Sequence, residues 1–223
     1  MNKILISIAL IFATSLNLYA GTPEGLIAVE RGDYKTAFSE FAEAAKNGDA
    51  EAAKNLGWMY EFGRGVKSDF AEAMRWYWIA ADAGNPIAQN NYAFMLKTGR
   101  GGIRAPQEAM KWFEKAAAQN YPEAKGNIGL MFCNGEGVER NFETCAMWLR
   151  KAADDGLAQA QFSLAVLYIG GTGVSKDENE AKKWVEKAAA QGHAEARTWL
   201  QLMNKASRGG TPSNTAINTD AVR

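Results

Sequence analysis

The sequence predicts an all-α protein built from stacked helix pairs, and three observations lead to this fold class. Tryptophan recurs every 36 residues through the middle of the chain, at Trp76, Trp112, Trp148 and Trp184. Within each interval of that length, the apolar residues follow two successive helical patterns. Two glycines separate these patterns at the same place in every interval. Such a recurrence indicates a repeat protein in which each unit buries its apolar face against its neighbours.

The first twenty residues predict an export signal. Lys3 provides a short positive region, residues 4–16 are mainly apolar, and Leu18-Tyr19-Ala20 has the pattern of a cleavage site. We expect cleavage after Ala20 and a periplasmic or secreted protein that does not insert into a membrane. A single membrane anchor is the alternative, because residues 4–20 approach the shortest length that spans a bilayer.

Residues 21–49 are predicted to form a capping helix pair at the start of the stack. Ala37 and Phe41 align 36 residues before Ala73 and Tyr77 of the first full repeat. The segment lacks the paired glycines, so we expect a plain helix pair that covers the open end.

Four full repeats follow. They span residues 50–85, 86–121, 122–157 and 158–193. In the first repeat, Ala52, Leu56 and Tyr60 are spaced by four and therefore share one helix face. Trp76 and Tyr77 belong to a second amphipathic helix by the same reasoning.

Glycine and capping residues predict where these helices begin and end. Gly63 and Gly65 can take the positive φ that lets the chain reverse between the two helices. Asp69 and Asp177 stand where a side-chain oxygen can cap the second helix. In every repeat the far end of that helix has a residue suited to positive φ: Gly84, Asn120, Gly156 and Gly192.

Small residues predict a close approach of the two helices within each repeat. Gly57, Ala93, Gly129 and Ala165 on the first helix are expected to face Ala73, Ala109, Cys145 and Ala181 on the second. Cys133 lies one turn beyond Gly129, so both cysteines point into one contact. In an oxidising compartment we expect a Cys133–Cys145 disulfide, and two separate buried thiols are the alternative.

The C-terminal end is predicted to contain a closing cap and a tail. Residues 194–206 restart a first helix through Trp199, Leu200 and Met203 without a second helix to follow. Residues 207–223 are rich in Gly, Ser, Thr and Asn and lack apolar periodicity, which predicts disorder.

The composition argues against several classes of function. The 223 residues include 25 Lys and Arg, 25 Asp and Glu, one His and two Cys. A four-ligand Cys/His metal cluster is therefore excluded, and we expect neither a metal site nor a cofactor. Loss of Lys3 with the signal leaves 24 basic and 25 acidic residues, a charge of −1 that gives no reason to expect nucleic acid as a partner.

The repeat resembles a known family. From Ala52 to Gly84 the chain reads Ala-x-x-x-Leu-Gly-x-x-Tyr-x-x-Gly-x-Gly-Val, then Asp-x-x-x-Ala-x-x-Trp-Tyr-x-x-Ala-Ala-x-x-Gly. This pattern resembles the Sel1-like repeat, a relative of the tetratricopeptide repeat, and it implies a right-handed α-α superhelical solenoid. The second repeat departs most, at Gly102, Ile103 and Ala105, which leaves the geometry of its turn open.

The resemblance implies that the first helices line a concave groove that docks a partner protein. By analogy with tetratricopeptide-type grooves, the candidate partner-binding residues are Lys54, Trp58, Phe62, Asn90, Phe94, Thr98, Leu130, Asn134, Phe162, Val166 and Ile169. Trp58, Phe62 and Phe94 are the expected hot spots, because aromatic residues dominate such interfaces. The alternative is that the stripe packs between neighbouring first helices.

The expected function is therefore recognition, with no catalytic residues. Exported members of the family act as adaptors or inhibitors, so we expect a monomer that binds an envelope protein, an effector toxin or a host factor. An immunity protein that neutralises a toxic secreted hydrolase is a narrower alternative. A cell-wall hydrolase using Glu51, Glu61 and Glu123 is the least favoured, because unconnected carboxylates at repeat positions are usually solvated. His193 is expected to be an exposed turn residue.

Overall fold

The structure is a computed structural model that describes residues 22–207, with side-chain burial described as far as residue 205. The predicted export signal, residues 1–20, and residues 208–223 of the predicted tail lie outside the described residues. Within the described range the chain is all-α, which confirms the predicted fold class. The helices are α1 (Pro23–Glu30), α2 (Tyr34–Lys46), α3 (Ala50–Phe62), α4 (Phe70–Asp82), α5 (Pro86–Thr98), α6 (Pro106–Ala118), α7 (Pro122–Asn134), α8 (Phe142–Asp154), α9 (Ala158–Gly170), α10 (Glu178–Ala190) and α11 (Ala194–Ser207).

The chain divides into two compact units, the first ending at Ala105 and the second beginning at Pro106. Unit 1 contains α1 to α5, and unit 2 contains α6 to α11. Inside each unit, helices that follow one another along the chain pack against each other. None of the helices between residues 22 and 207 has both the length and the apolar character needed to cross a bilayer.

The helix ends follow the predicted capping residues. Asp69 Oδ1 accepts hydrogen bonds from the backbone N–H groups of Ala71 and Glu72, at 2.9 and 3.1 Å, and Asp177 caps α10 in the same way. Such bonds satisfy N–H groups that have no partner inside the helix. The residues beyond the second helices have positive φ, with 95° at Gly84, 61° at Asn120, 96° at Gly156 and 94° at Gly192.

The turn of the second repeat keeps the geometry of the others despite its different sequence. Gly99 and Gly101 have φ of 77° and 83°. The Ala105 N–H donates to the Leu96 carbonyl at 2.8 Å, and the corresponding bond closes the first repeat's turn at 3.0 Å. The backbone of this turn is therefore retained, although Ala105 has no side chain that can cap α6.

The second glycine of each turn also lets neighbouring repeats come together. A Cβ atom on Gly65 would lie 2.1 Å from the carbonyl oxygen of Tyr34, the first residue of α2. The same contact recurs at the 36-residue interval, with Gly101 on Phe70, Gly137 on Pro106 and Gly173 on Phe142. The sequence predicted only the positive φ of these glycines, and the structure adds a backbone contact that excludes any side chain.

The contact between the helices of a repeat differs from the prediction. The atoms nearest to a Cβ placed on Gly57 belong to the ring of Tyr77, at 2.5 Å, and not to Ala73. On Gly129 the nearest atom is Leu149 Cγ, at 2.9 Å. A large side chain one turn further along the second helix therefore lies nearest to each glycine, and at Gly129 the Leu149 backbone N, at 3.2 Å, is also close, as expected for helices that approach one another closely.

A disulfide joins α7 to α8 and confirms the predicted Cys133–Cys145 pair. Their Cα atoms are 5.3 Å apart, and both residues are buried. Closing the loop between two positions in one helix pair restricts the unfolded chain, which stabilises the folded pair.

His193 is a capping residue, so the expectation of an exposed turn residue was wrong. Its side chain is only 10% exposed, and its Nδ1 accepts a hydrogen bond from the Ala196 N–H at 3.3 Å at the start of α11. The Nε2 atom lies 3.0 Å from Gln159 Oε1. His193 therefore caps the start of the final helix and holds it near α9.

Candidate functional site

The candidate partner-binding residues fall in both units, on the first helices of the four repeats. In unit 1 they lie on α3 and α5, and in unit 2 on α7 and α9. We call Trp58, Phe62, Phe94, Lys54 and Thr98 the first-helix surface of unit 1.

Aromatic side chains follow one another along α3 and are partly open to solvent. The ring of Trp58 lies 6.3 Å from that of Tyr34 and 5.8 Å from that of Phe62, between ring centres. Phe62 is 57% exposed, and Trp58 is half-buried. The guanidinium of Arg64 lies 5.4 Å from the centre of the Tyr34 ring. The result is an apolar row with a cation at its edge.

The α5 part of the surface contains a second exposed aromatic residue. Phe94 is 37% exposed, and the ammonium of Lys97 lies 5.3 Å from the centre of its ring. Thr98 is exposed, and its hydroxyl donates to the Phe94 carbonyl at 2.8 Å. Asn90 is only 8% exposed, so this predicted residue offers little to a partner.

Lys54 is held by a network that connects α3 to the start of α5. Its ammonium pairs with Glu51 Oε1, and Glu51 Oε2 accepts a hydrogen bond from Asn85 Nδ2 at 2.7 Å. Asn85 in turn caps α5 through the Ala88 N–H. Glu51 therefore has a structural role in joining two neighbouring first helices.

Glu61 is also engaged in structural contacts. Its Oε2 accepts a hydrogen bond from the Tyr77 hydroxyl at 2.9 Å, and its Oε1 lies 3.3 Å from Arg100 Nη1. Burial, followed by the negative charge of Glu61, raises the pKa of Tyr77 above its ordinary value. The phenol therefore stays protonated and donates to the carboxylate. Glu123, the third acidic residue considered, lies exposed on α7 in unit 2.

Unit 2 buries two of the predicted groove residues. Phe162 is 2% exposed and Val166 is 7% exposed. The Phe162 ring lies 5.2 Å from the ring of Trp199, edge on, and 4.9 Å from that of His193. The final helix thus covers this end of α9, and we remove Phe162 and Val166 from the candidate surface because a partner cannot reach them.

The other predicted residues of unit 2 differ in exposure. Leu130 and Ile169 are half-buried and pack against the core of unit 2, whereas Asn134 is exposed. The structure therefore concentrates the exposed aromatic candidates in unit 1.

Sequence reasoning missed Tyr34, although a signal for it was present. Tyr34 and Phe70 are 36 residues apart and each begins a second helix.

Within residues 22–207, no three side chains of His, Cys, Asp or Glu are arranged to hold a metal ion.

Comparison with known proteins gives a consistent result. The sequence model described as the Sel1 repeat matches residues 50–85, 86–121, 122–157 and 158–193. A Sel1 repeat protein from Oxalobacter formigenes is similar in structure, with a TM-score of 0.78 and 34% identity over 85% of this chain and 78% of that one. A search of curated proteins found no match to this sequence.

Two further solved structures are similar. The protective antigen c5321 of uropathogenic Escherichia coli, described as having an SLR fold, has a TM-score of 0.73 and 30% identity over 89% of this chain and 43% of the antigen. The immunity protein PA5088 of Pseudomonas aeruginosa has a TM-score of 0.59 and 20% identity over 93% of this chain and 77% of its own. The second likeness concerns the fold alone.

Proposed function

Because the chain belongs to the Sel1 repeat family, whose repeats typically mediate contacts between proteins, we propose that it is an exported, non-catalytic interaction protein that binds a partner through the first-helix surface of unit 1. The observation that carries the proposal is the exposed aromatic row on α3 and α5, where Phe62 is 57% and Phe94 is 37% exposed. Aromatic residues with a polar rim are the usual composition of an interface centre.

The disulfide supports export. Cys133 and Cys145 are bridged, and disulfides persist mainly in oxidising compartments such as the periplasm or the exterior. The predicted signal at residues 1–20 is consistent with the same location.

The structural roles of Glu51 and Glu61 favour binding over hydrolysis. Glu51 contacts Lys54 and Asn85, and Glu61 contacts Tyr77 and Arg100, as described above. A hydrolase needs one carboxyl group that releases a proton to substrate and a second that attacks or activates water. Carboxylates engaged in contacts between helices are poorly suited to either task.

A quantitative capture experiment tests the proposal. Wild type and the Trp58→Ala, Phe62→Ala and Phe94→Ala variants are immobilised, and proteins retained from an envelope extract are quantified. Truncating a hot-spot aromatic residue costs about 2 kcal/mol, which weakens binding roughly 30-fold, so we expect the specific partner to be lost. Phe142→Ala is the matched control, because Phe142 is also 37% exposed but lies on a second helix of unit 2.

An unchanged set of retained proteins in all three variants would contradict the proposed surface. Release of sugars from purified cell wall by the wild type, abolished by Glu61→Gln, would contradict the absence of catalysis.

A toxic secreted hydrolase is the narrower candidate for the partner. It is favoured because the immunity protein PA5088 has a similar fold over 93% of this chain. The test is to mix the purified protein with a hydrolase encoded beside its gene. We expect stoichiometric inhibition that Phe62→Ala relieves, and undiminished hydrolysis would exclude that enzyme as the partner.

A further inference from the structure

One ring nitrogen of His193, at the start of α11, lies beside two groups that need different protonation states of it. Its Nδ1 accepts a hydrogen bond from the Ala196 N–H at 3.3 Å, which requires a lone pair on that nitrogen. The same Nδ1 lies 3.3 Å from Glu195 Oε2. A carboxylate oxygen can only accept, so a hydrogen bond there requires a proton on Nδ1. The two contacts therefore cannot be hydrogen bonds at the same time.

The other ring nitrogen fixes the orientation of the imidazole. Nε2 lies 3.0 Å from Gln159 Oε1 on α9, and an amide oxygen accepts, so Nε2 carries a proton. In the neutral ring, Nδ1 then has the lone pair that the Ala196 N–H needs. A second proton leaves the bond to Gln159 in place and changes only the role of Nδ1. The ring can therefore exchange its partner on α11 without leaving α9.

The α9 side of the ring is uncharged. Gln159 is neutral, and the centre of the Phe162 ring lies 4.9 Å from that of the imidazole. Tyr168 is the titratable residue of α9, and its hydroxyl is bonded to Arg150 of α8. No charge from α9 therefore competes for Nδ1.

The other two packed elements bring one charge to the ring. α10 presents the Ala188 carbonyl, which accepts from the His193 N–H at 3.1 Å. Lys187, the last charged residue of α10, has its ammonium 3.9 Å from the centre of an indole ring of its own helix. On α11, Arg197 Nε donates to a backbone carbonyl of α10 at 3.4 Å. Among the described residues, the charged side chain at hydrogen-bonding distance from the ring is therefore Glu195.

The cap matters because α11 covers one end of α9. Ala196 is fully buried, and the ring of Trp199 lies edge on to that of Phe162, at 5.2 Å between ring centres. Leu200 and Met203 pack against the same core. A helix that loses a cap is less stable, and terminal elements open more readily than central ones. The strength of this cap therefore affects how well Phe162 is covered.

Protonation replaces a favourable arrangement with a weaker one. The Ala196 N–H loses its acceptor, and a positive charge is placed at the N-terminus of α11, where the helix dipole opposes it. The partner gained is Glu195, whose side chain is 66% exposed, and ion pairs as exposed as this contribute little. The sum of these effects loosens α11.

We propose that His193 is a pH-sensitive switch on the final helix. Its neutral form caps α11 through Ala196, and its protonated form pairs with Glu195 and lets α11 open more readily from Phe162. Histidine is the side chain whose charge ordinarily changes between pH 5 and 8, and His193 is the only histidine in the chain. Acidification through this range therefore uncovers apolar side chains of α9. The switch lies in unit 2 and does not depend on the first-helix surface of unit 1.

Nuclear magnetic resonance of the ¹⁵N-labelled full chain tests the exchange of partners. The Ala196 amide and the His193 ring are followed from pH 8 to pH 5. We expect both to titrate with one midpoint, and the Ala196 amide proton to move upfield as it loses its acceptor. An Ala196 amide that keeps its shift while the ring titrates would overturn the proposal.

Hydrogen exchange measured peptide by peptide tests the effect on α11. Protection factors, which correct for the intrinsic effect of pH on exchange, are compared at pH 7.5 and pH 5.0. Loss of a cap shifts the opening of a helix several-fold, so we expect the protection of α11 to fall roughly fivefold and that of α7 to stay unchanged. Equal protection of α11 at the two pH values would contradict the switch.

Two variants with residues from sister repeats identify the group that responds. His193→Asn introduces the residue found at Asn85, which caps α5 and does not titrate. It should keep the protection of α11 at pH 7.5 and remove its pH dependence. Glu195→Gln introduces the residue found at Gln159 and removes the charge that offsets protonation. The fall in protection should then grow to roughly tenfold.

Either variant can overturn the proposal. A fall in protection that persists in His193→Asn would mean that another group controls α11. A fall that disappears in Glu195→Gln would mean that the carboxylate, and not the uncapping by His193, causes the response.

Discussion

Glu61 in unit 1 and Cys133 in unit 2 occupy the same position of the repeat, two intervals of 36 residues apart, but they connect their helix pairs by different chemistry. Glu61 accepts a hydrogen bond from Tyr77 on the second helix. Cys133 is covalently bonded to Cys145 on the second helix. In both units, this position near the end of the first helix is where the two helices are linked.

The difference shows that one backbone arrangement supports links that respond to different conditions. The Glu61 side chain is 13% exposed and also pairs with Arg100, so its link depends on charge and is open to screening. Cys145 is fully buried, and its bond is insensitive to salt but depends on the redox environment. Unit 2 therefore needs an oxidising compartment for its full stability, whereas unit 1 does not.

The first-helix surfaces of the two units differ as well. Phe62 and Phe94 of unit 1 are exposed, whereas Phe162 and Val166 of unit 2 are buried. Phe162 is covered because the final helix brings Trp199 against it. A terminal cap thus removes one end of unit 2 from contact with partners, and recognition is expected to depend mainly on unit 1.

Breaking the disulfide should have the largest effect on stability and should destabilise unit 2 without affecting unit 1. We expect reduction, or the Cys133→Ala/Cys145→Ala double substitution, to lower the unfolding free energy of unit 2 by about 3 kcal/mol, because the unfolded loop is no longer restricted. Hydrogen exchange measured peptide by peptide should show faster exchange in α7 and α8 and unchanged exchange in α3.

The double variant is its own control for the reductant. Adding reductant to this variant should change nothing, because it has no disulfide to break. Alanine suits position 145 because Ala73, Ala109 and Ala181 occupy the equivalent position in the other repeats. Equal acceleration of hydrogen exchange in α3 and α7 would contradict the prediction that the disulfide stabilises unit 2 alone.

Replacing Gly57 or Gly129, which occupy the same repeat position, with alanine should have the second-largest effect. The loss of unfolding free energy should be larger in unit 1. A Cβ on Gly57 meets three ring atoms of Tyr77 within 2.9 Å, and Glu61 restrains that ring. Overpacking outweighs the higher helix propensity of alanine, so we expect Gly57→Ala to lower the unfolding free energy by about 2 kcal/mol. Gly129→Ala should cost about 1 kcal/mol, because its contacts are longer, at 2.9 Å to Leu149 Cγ and 3.2 Å to the Leu149 backbone N. Urea unfolding would measure both losses of unfolding free energy. A larger loss for Gly129→Ala than for Gly57→Ala would contradict this prediction.

Removing the phenolic hydroxyl should give a smaller loss. We expect Tyr77→Phe to lower the unfolding free energy by about 1.5 kcal/mol, because a hydrogen bond to a charged carboxylate disappears. Phe113 and Phe41 occupy this position elsewhere in the chain, so the ring itself fits. Arg100→Gln should cost only about 0.5 kcal/mol, since its side chain is 43% exposed. Thermal unfolding of the two variants tests this order, and a neutral Tyr77→Phe would mean that the Glu61 link adds no stability.

Much of the fold could be predicted because it depends on local interactions. The caps at Asp69 and Asp177 and the positive φ at Gly84 and Asn120 involve residues within a few positions of each other, and all four follow from residue type. The Cys133–Cys145 disulfide could be predicted for a related reason, because helical periodicity places both residues in one contact.

The candidate site was less predictable because exposure depends on what covers each side chain. Trp58 and Val166 share a repeat position, yet one is half-buried on the surface of unit 1 and the other is in the core of unit 2. Periodicity places both on the same helix face but does not reveal that α11 packs over α9. The exposure of Ile103, in a turn whose sequence departs from the others, could not be predicted for the same reason.

The sequence by itself determined the helix pairs, their 36-residue register, their turns and their caps, because these arise from backbone preferences and apolar spacing over short distances along the chain. Only the tertiary structure decided that Tyr77 and Leu149 fill the space over Gly57 and Gly129, and that exposed aromatic candidates collect in unit 1. The physical reason is that burial is a property of neighbours brought together from distant positions. Identical positions of a repeat therefore differ in exposure according to what packs against them.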